Sequence, residues 1–142
     1  MRVVLDTNVL VAALLFRKRL GLFGVAIDRG TCVPCFCVTT FQELLRVLQY
    51  PKFAKAFAAA GLTADQITKA LSVKSVIVAD PITIPDIAPD APDNYILATG
   101  ALANAECIVS GDRALLDLKA FHGISIVSPQ RFAMILRQAA LH

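Results

Sequence analysis

Apolar residues follow two rhythms along this chain. Unbroken runs of strand length occupy residues 3–5, 31–38, 76–78, 107–110 and 124–127. Such runs, bounded by turn or charged residues, mark strands covered on both faces, as in a parallel sheet. Between them, apolar positions recur at helical spacing, beginning with Val9, Leu10, Ala13, Leu14 and Phe16. Further helices are expected over 20–28, 40–49, 53–60, 63–73, 93–105, 114–118 and 129–139. Gly30, Pro51 and Gly61 stop three of them, and Thr63 is placed to cap another. Gly100 and its neighbouring alanines would let the 93–105 helix lie close to the sheet. Residues 80–92 are rich in proline and aspartate and read as a loop. Strands alternating with helices predict an α/β fold with a parallel sheet.

Composition narrows the class. With 142 residues, one domain over 1–142 is expected. Hydrophobic residues make up 56% of the chain and mean hydropathy is +0.63. The longest apolar run, residues 9–16, is far shorter than the roughly 20 residues of a membrane span. Asp6 and Asn8 interrupt the segment that a signal peptide would need. The expectation is a cytoplasmic protein without membrane contact, its surplus apolar surface covered by a partner or a second copy. The net charge of +3 tolerates a polyanion without specifying one. Cys32, Cys35 and Cys37 include a Cys-x-x-Cys, but their neighbours are apolar and no second pair or histidine follows at ligand spacing. Together with Cys107 they read as core cysteines.

The acids change the picture most. Asp6 follows the first strand, Glu43 the second and Asp112 the fourth, while Asp93 opens the helix after the proline-rich loop. Helices that follow strands in a parallel sheet start at its carboxyl edge, where ligands bind. Each acid also has a structural role open to it. Asp6 and Asp112 can cap helices, Thr40-x-x-Glu43 matches a capping box, and Asp90 can cap a helix that starts at Pro92. Capping is served equally well by Ser, Thr or Asn, so four carboxylates at one edge exceed that need. No Gly-x-Ser-x-Gly, Walker or Gly-x-Gly-x-x-Gly sequence competes with them, and His122 and His142 lie near the end. Converging carboxylates without histidine suit Mg²⁺ or Mn²⁺, which in such sites promote phosphodiester hydrolysis.

Four pieces occur in a telling order: Val4-Leu-Asp-Thr-Asn8, Glu43 within Thr39-Thr-Phe-Gln-Glu-Leu44, Asp90-Ala-Pro-Asp-Asn94, and Ile108-Val-Ser-Gly-Asp112. In that order the chain resembles the PIN-domain nucleases, and within them the toxin components of toxin–antitoxin pairs related to VapC-type toxins. The resemblance implies a three-layer α/β/α domain with a central parallel sheet of four or five strands. It implies an endoribonuclease dependent on Mg²⁺ or Mn²⁺, with Asp6, Glu43, Asp93 and Asp112 as the metal-binding, catalytic acids. Thr7, Asn8 and Ser110 would support them through hydrogen bonds, with Asp90 beside them. Asp90-Ala-Pro-Asp93 departs from the family's common Asp-Pro-x-Asp, and Ser110 stands where Thr is common. An RNA substrate, a cognate antitoxin and a homodimer are the implied partners.

Within that frame Arg17, Lys18, Arg19, Arg46 and Arg113 are candidates for RNA-phosphate or antitoxin contacts. The bland alternative for 17–19 is a solvated basic run closing the first helix, where positive charge suits the helix dipole. Phe53 and Phe57, four residues apart, are expected in the core or a dimer interface. The rival to an enzyme is a non-catalytic PIN-like module that binds RNA or protein. An aspartyl phosphotransferase ranks well behind, because Thr7 and Asn8 stand where its second aspartate would be.

Overall fold

The computed structural model describes the backbone of residues 1–15 and 17–140, and the side chains of 1–15 and 21–140. In chain order the elements are β1 (Arg2–Leu5), α1 (Thr7–Leu15), α2 (Arg17–Arg29), β2 (Val33–Cys37), α3 (Val38–Leu48), α4 (Pro51–Ala59) and α5 (Ala64–Lys74). They continue with β3 (Val76–Val78), α6 (Ala91–Leu102), β4 (Cys107–Val109), α7 (Arg113–Leu118), β5 (Ala120–Phe121), β6 (Ile124–Val127) and α8 (Pro129–Ala140).

The sheet order is β3-β2-β1-β4-β6-β5. The first five strands in that order pair in parallel. The sixth, β5, is two residues long and runs antiparallel to β6. The expected parallel sheet is therefore present, with one short antiparallel edge added that two residues of sequence did not announce. Side-chain alternation sorts the two faces. Val3, Leu5, Cys107 and Val109 point into a core shared with α1, α2, α3, α4, α5 and α8. Val4 and Ile108, the residues between them, point into the second core with α6 and α7. A strand buried on both faces needs apolar residues at every position, which is why β1 and β4 read as unbroken runs.

Local chemistry sets the helices. Thr63 and Gln66 form the capping box that opens α5, through Gln66 N–H to Thr63 Oγ1 at 3.2 Å and Thr63 N–H to Gln66 Oε1 at 2.9 Å. On α6, a Cβ at Gly100 would stand 3.0 Å from Ile108 Cδ1 and 3.4 Å from Ile124 Cδ1, so the missing side chain is what lets the helix approach the sheet. Phe23 of α2 and Phe132 of α8 meet edge to face at 5.1 Å.

Two boundaries differ from the sequence reading. The 17–19 basic run does not close the first helix; it opens α2, with Arg17 as its first residue. The second strand stops at Cys37, whose extended backbone caps α3, so Val38 is already helical. Cys32, Cys35, Cys37 and Cys107 are all buried as free thiols, and burial pushes Cys32 and Cys107 up to about 12. Among the described residues no helix is long and apolar enough to cross a membrane.

Candidate active site

Chain order determines where a site can form. From β1 the chain builds the sheet outward through β2 to β3, then returns to the other side of β1 and builds through β4 to β6. The gap between β1 and β4 is thus the point where the winding reverses, and ligands of such sheets bind outside the carboxyl ends of the strands there. Asp6 follows β1, and its N–H donates to Val109 O at 2.9 Å, extending the ladder by one residue. Ser110 and Asp112 follow β4.

Ser110 joins the two strand ends. Fully buried, its hydroxyl donates to Asp6 Oδ2 at 2.9 Å and accepts the Asp112 N–H at 3.0 Å. Asp112 does cap α7: Oδ1 accepts Ala114 N–H at 2.8 Å and Leu115 N–H at 3.4 Å. Asp6 does not cap in this way, since among the described residues its carboxylate accepts no hydrogen bond from α1.

The first turn of α6 completes one wall. Asp93 is buried, with 7% exposure, and its Oδ2 has no hydrogen-bond partner. One oxygen each from Asp90, Asp93 and Asp112 lies within 4.8 Å of the others. Burial, then the charges of Asp112, Asp6 and Asp90, push the Asp93 carboxyl up to about 6. Glu43, from α3, faces this wall across a cleft of about 380 Å³ that Asp6, Thr7 and Asn8 also line. Asp6, Glu43, Asp93 and Asp112 thus line one cleft from four separate segments, but of these only Asp93 and Asp112 belong to the three-oxygen cluster, whose third member is Asp90. Thr7 and Asn8 reach the cleft but, among the described residues, give the acids no side-chain hydrogen bond; Ser110 alone of the three does.

The structure reassigns two capping roles. Glu43 is the sixth residue of α3, too deep to cap it. The box there is Cys37 with Thr40, whose Oγ1 accepts the Cys37 N–H at 3.0 Å. The start of α3 is held as well by Asp80, which accepts Thr39 N–H and Thr39 Oγ1–H, each at 2.8 Å. Asp90 occupies the cap position of α6 but its side chain makes no cap bond. Asn94 secures that turn instead: its Oδ1 accepts Ile87 N–H at 3.1 Å and Ala88 N–H at 2.9 Å, and its Nδ2 donates to Ala88 O at 3.0 Å. Asp80 and Asn94 were missed by sequence reasoning. Asn94 stood at the end of the Asp90-Ala-Pro-Asp-Asn94 motif without a role of its own, and an asparagine inside a helix, where it competes with the backbone, was a further signal.

Of the candidate cations, Arg46 lies 3.8 Å from Glu43 with both side chains solvated, a weak pair. Arg113 is exposed at the first position of α7. The side chains of Arg17, Lys18 and Arg19 lie outside the described residues. No lysine, arginine or histidine is among the described residues lining the cleft. Five carboxylates, one with a buried unpartnered oxygen and only Glu43 weakly paired with a cation, form a donor set that fits a hard divalent cation such as Mg²⁺ or Mn²⁺.

Residues 2–114 match the family described as the PIN domain. No curated protein and no solved structure matches the chain.

Proposed function

The chain belongs to the PIN domain family, and from that premise we propose that it is a Mg²⁺- or Mn²⁺-dependent endoribonuclease. Phosphodiester hydrolysis is the activity this fold usually carries. The observation that supports it here is the Asp93 oxygen, buried without a hydrogen bond among the carboxylates of Asp6, Asp90 and Asp112. An oxygen left unpaired among like charges is a ready ligand for a cation.

Asp6, Glu43, Asp93 and Asp112 would hold the ion, with Asp90 within reach of the last two. When bound, the ion supplies a water of lowered pKa and offsets charge on the leaving oxygen. The chain's own work is orientation. Ser110 fixes one oxygen of Asp6, backbone N–H groups of α7 fix one oxygen of Asp112, and Asn94 holds the turn that carries Asp90. Arg46 and Arg113 stand close to Glu43 and Asp112 in the chain and are placed to meet phosphates outside the cleft.

The finer biological reading is the toxin of a toxin–antitoxin pair, active as a homodimer in the cytoplasm. It is supported by the motif order from Val4-Leu-Asp to Ser-Gly-Asp112. Cleavage of a single-stranded RNA by wild type and Asp6→Asn, with Mn²⁺ and with chelator, tests the enzymatic core. Asn keeps the acceptor for Ser110 while removing the charge. Metal-dependent cleavage lost in Asp6→Asn supports the reading; cleavage that persists in chelator, or is absent from a well-folded wild type in Mn²⁺, overturns it.

A further inference from the structure

The surface flanking the cleft is divided by charge. Residues 44–64 carry Arg46, Lys52 and Lys55 and no acid; residues 75–112 carry six acids and no lysine or arginine. The first stretch leaves the cleft along α3, just past Glu43, and turns into α4; of the second, Asp90, Asp93 and Asp112 line the opposite wall, while Asp80 holds the start of α3. A polyanion is drawn to the first side and repelled by the second.

Aromatic residues lie on the basic side. Phe57 is buried in the core at 3% exposure, Phe53 packs on it at 6.3 Å and is half-buried, and Tyr50 is exposed at 39%. The Tyr50 and Phe53 rings are nearly parallel, 11° apart with centroids at 6.3 Å. The Lys52 ammonium lies 5.9 Å from the Tyr50 ring and 5.1 Å from the Phe53 ring. The row is thus anchored in the core at one end and presents a ring to solvent at the other, beside a lysine. Tyr50 N–H donates to Val47 O at 3.0 Å, which closes the end of α3, and Tyr50 itself is extended and stands at the cap position of α4. Glu43 and Val47 line the cleft, and Tyr50 follows Val47 at the junction of α3 and α4.

We propose that Tyr50 and Phe53, with Lys52, Lys55 and Arg46, form a track that binds single-stranded RNA and leads it into the carboxylate cleft. A positively charged groove with rings on which bases stack is the general means of holding a single strand. A duplex, whose bases are already stacked, gains nothing from Tyr50. The proposal rests on the nuclease reading for its purpose, but its binding step needs no metal.

The test is fluorescence anisotropy of a short, unstructured, labelled RNA with the full chain in chelator, across a range of salt. Tyr50→Ala lowers affinity about tenfold, within what one base stack supplies; Tyr50→Phe keeps it. Lys52→Ala with Lys55→Ala reduces the slope of log affinity against log salt by about 1.4, two phosphate contacts on a single strand. Arg137→Ala, in the last turn of α8, changes neither. Wild type that fails to bind in chelator, or track variants that bind as wild type does with an unchanged melting temperature, overturn the proposal. Failure of the nuclease reading looks different: RNA bound through Tyr50 and the lysines, yet left intact in Mn²⁺.

Discussion

Replacing Asp93 with asparagine should stabilise the metal-free protein at neutral pH, the reverse of what removing a buried hydrogen-bonding group does. The Asp93 carboxyl is pushed up to about 6, mainly by burial and then by the charges of Asp112, Asp6 and Asp90, from 3.8 in water. The folded state therefore holds the proton more tightly than the unfolded chain. Between about pH 4 and pH 6 the folded form carries more bound protons, so stability falls as pH rises through that window. A shift of about two units, at about 1.36 kcal/mol each, bounds the cost near 3 kcal/mol. Water reaches the open cleft and screens the charges, which leaves about 1–2 kcal/mol. Asparagine keeps the outline, carries no charge, and can donate to the carboxylates that now repel. In chelator at pH 7, Asp93→Asn should melt roughly 3–6 °C above wild type, and at pH 4 the two should coincide. With Mn²⁺ the order reverses, because wild type alone gains the stabilisation of a bound ion. A variant that melts below wild type in chelator at pH 7, or by the same margin at both pH values, would refute the reasoning.

Three further outcomes follow from the same geometry. Asp80→Ala releases Thr39 at the start of α3 and should lower both the melting temperature and the affinity for Mn²⁺ at Glu43. The Thr39 N–H, then the Thr39 hydroxyl, hold the Asp80 carboxyl below its usual range, so its stabilisation exists above the unfolded pKa and fades as pH falls through the folded one. The gap to wild type should accordingly close in acid, measured by melts across pH. Ser110→Ala removes the acceptor of the part-buried Asp112 N–H and should cost about 1 kcal/mol in urea unfolding, whereas Ser110→Thr keeps the hydroxyl. Gly100→Ala sets a Cβ 3.0 Å from the movable Cδ1 end of Ile108, so the crowding and the better helix propensity of alanine should largely offset, leaving a change within about 1 kcal/mol in the same assay.

The layout of sheet and site was legible because it rests on short-range pattern. β1 and β4 are apolar at every position since both faces are covered, and each ends on the acid or serine that meets its neighbour across the switch point. The Pro-rich loop returns α6 to that edge, which is where Asp93 had to come. Capping was less legible, since its signatures are degenerate. Thr40-x-x-Glu43 and Cys37-x-x-Thr40 overlap in the same seven residues, and only the extended backbone at Cys37 chooses between them. Asp80, which holds the start of α3, lies 41 residues away in sequence, beyond the reach of any local pattern. Asp80 takes at the start of α3 a holding role that the sequence offered only to Glu43, and Glu43, free of capping, faces the cleft. The basic run at 17–19 likewise fits the end of one helix or the start of the next, and charge alone favoured the wrong one. Asp90 has the sequence position of a cap, yet Asn94 bonds the turn and leaves the Asp90 carboxylate to the cluster.

The most direct test is calorimetric titration of Mn²⁺ into wild type and Glu43→Gln, with RNA cleavage and chelator melting temperature read on the same samples. Glu43 is half-buried and, among the described residues, makes no contact with a cation but the weak one to Arg46. Its amide should therefore leave the chelator melting temperature unchanged while Mn²⁺ binding weakens sharply and cleavage is lost. Equal Mn²⁺ affinity and equal cleavage in the two proteins would contradict the account, because the acids would then share a cleft without sharing an ion.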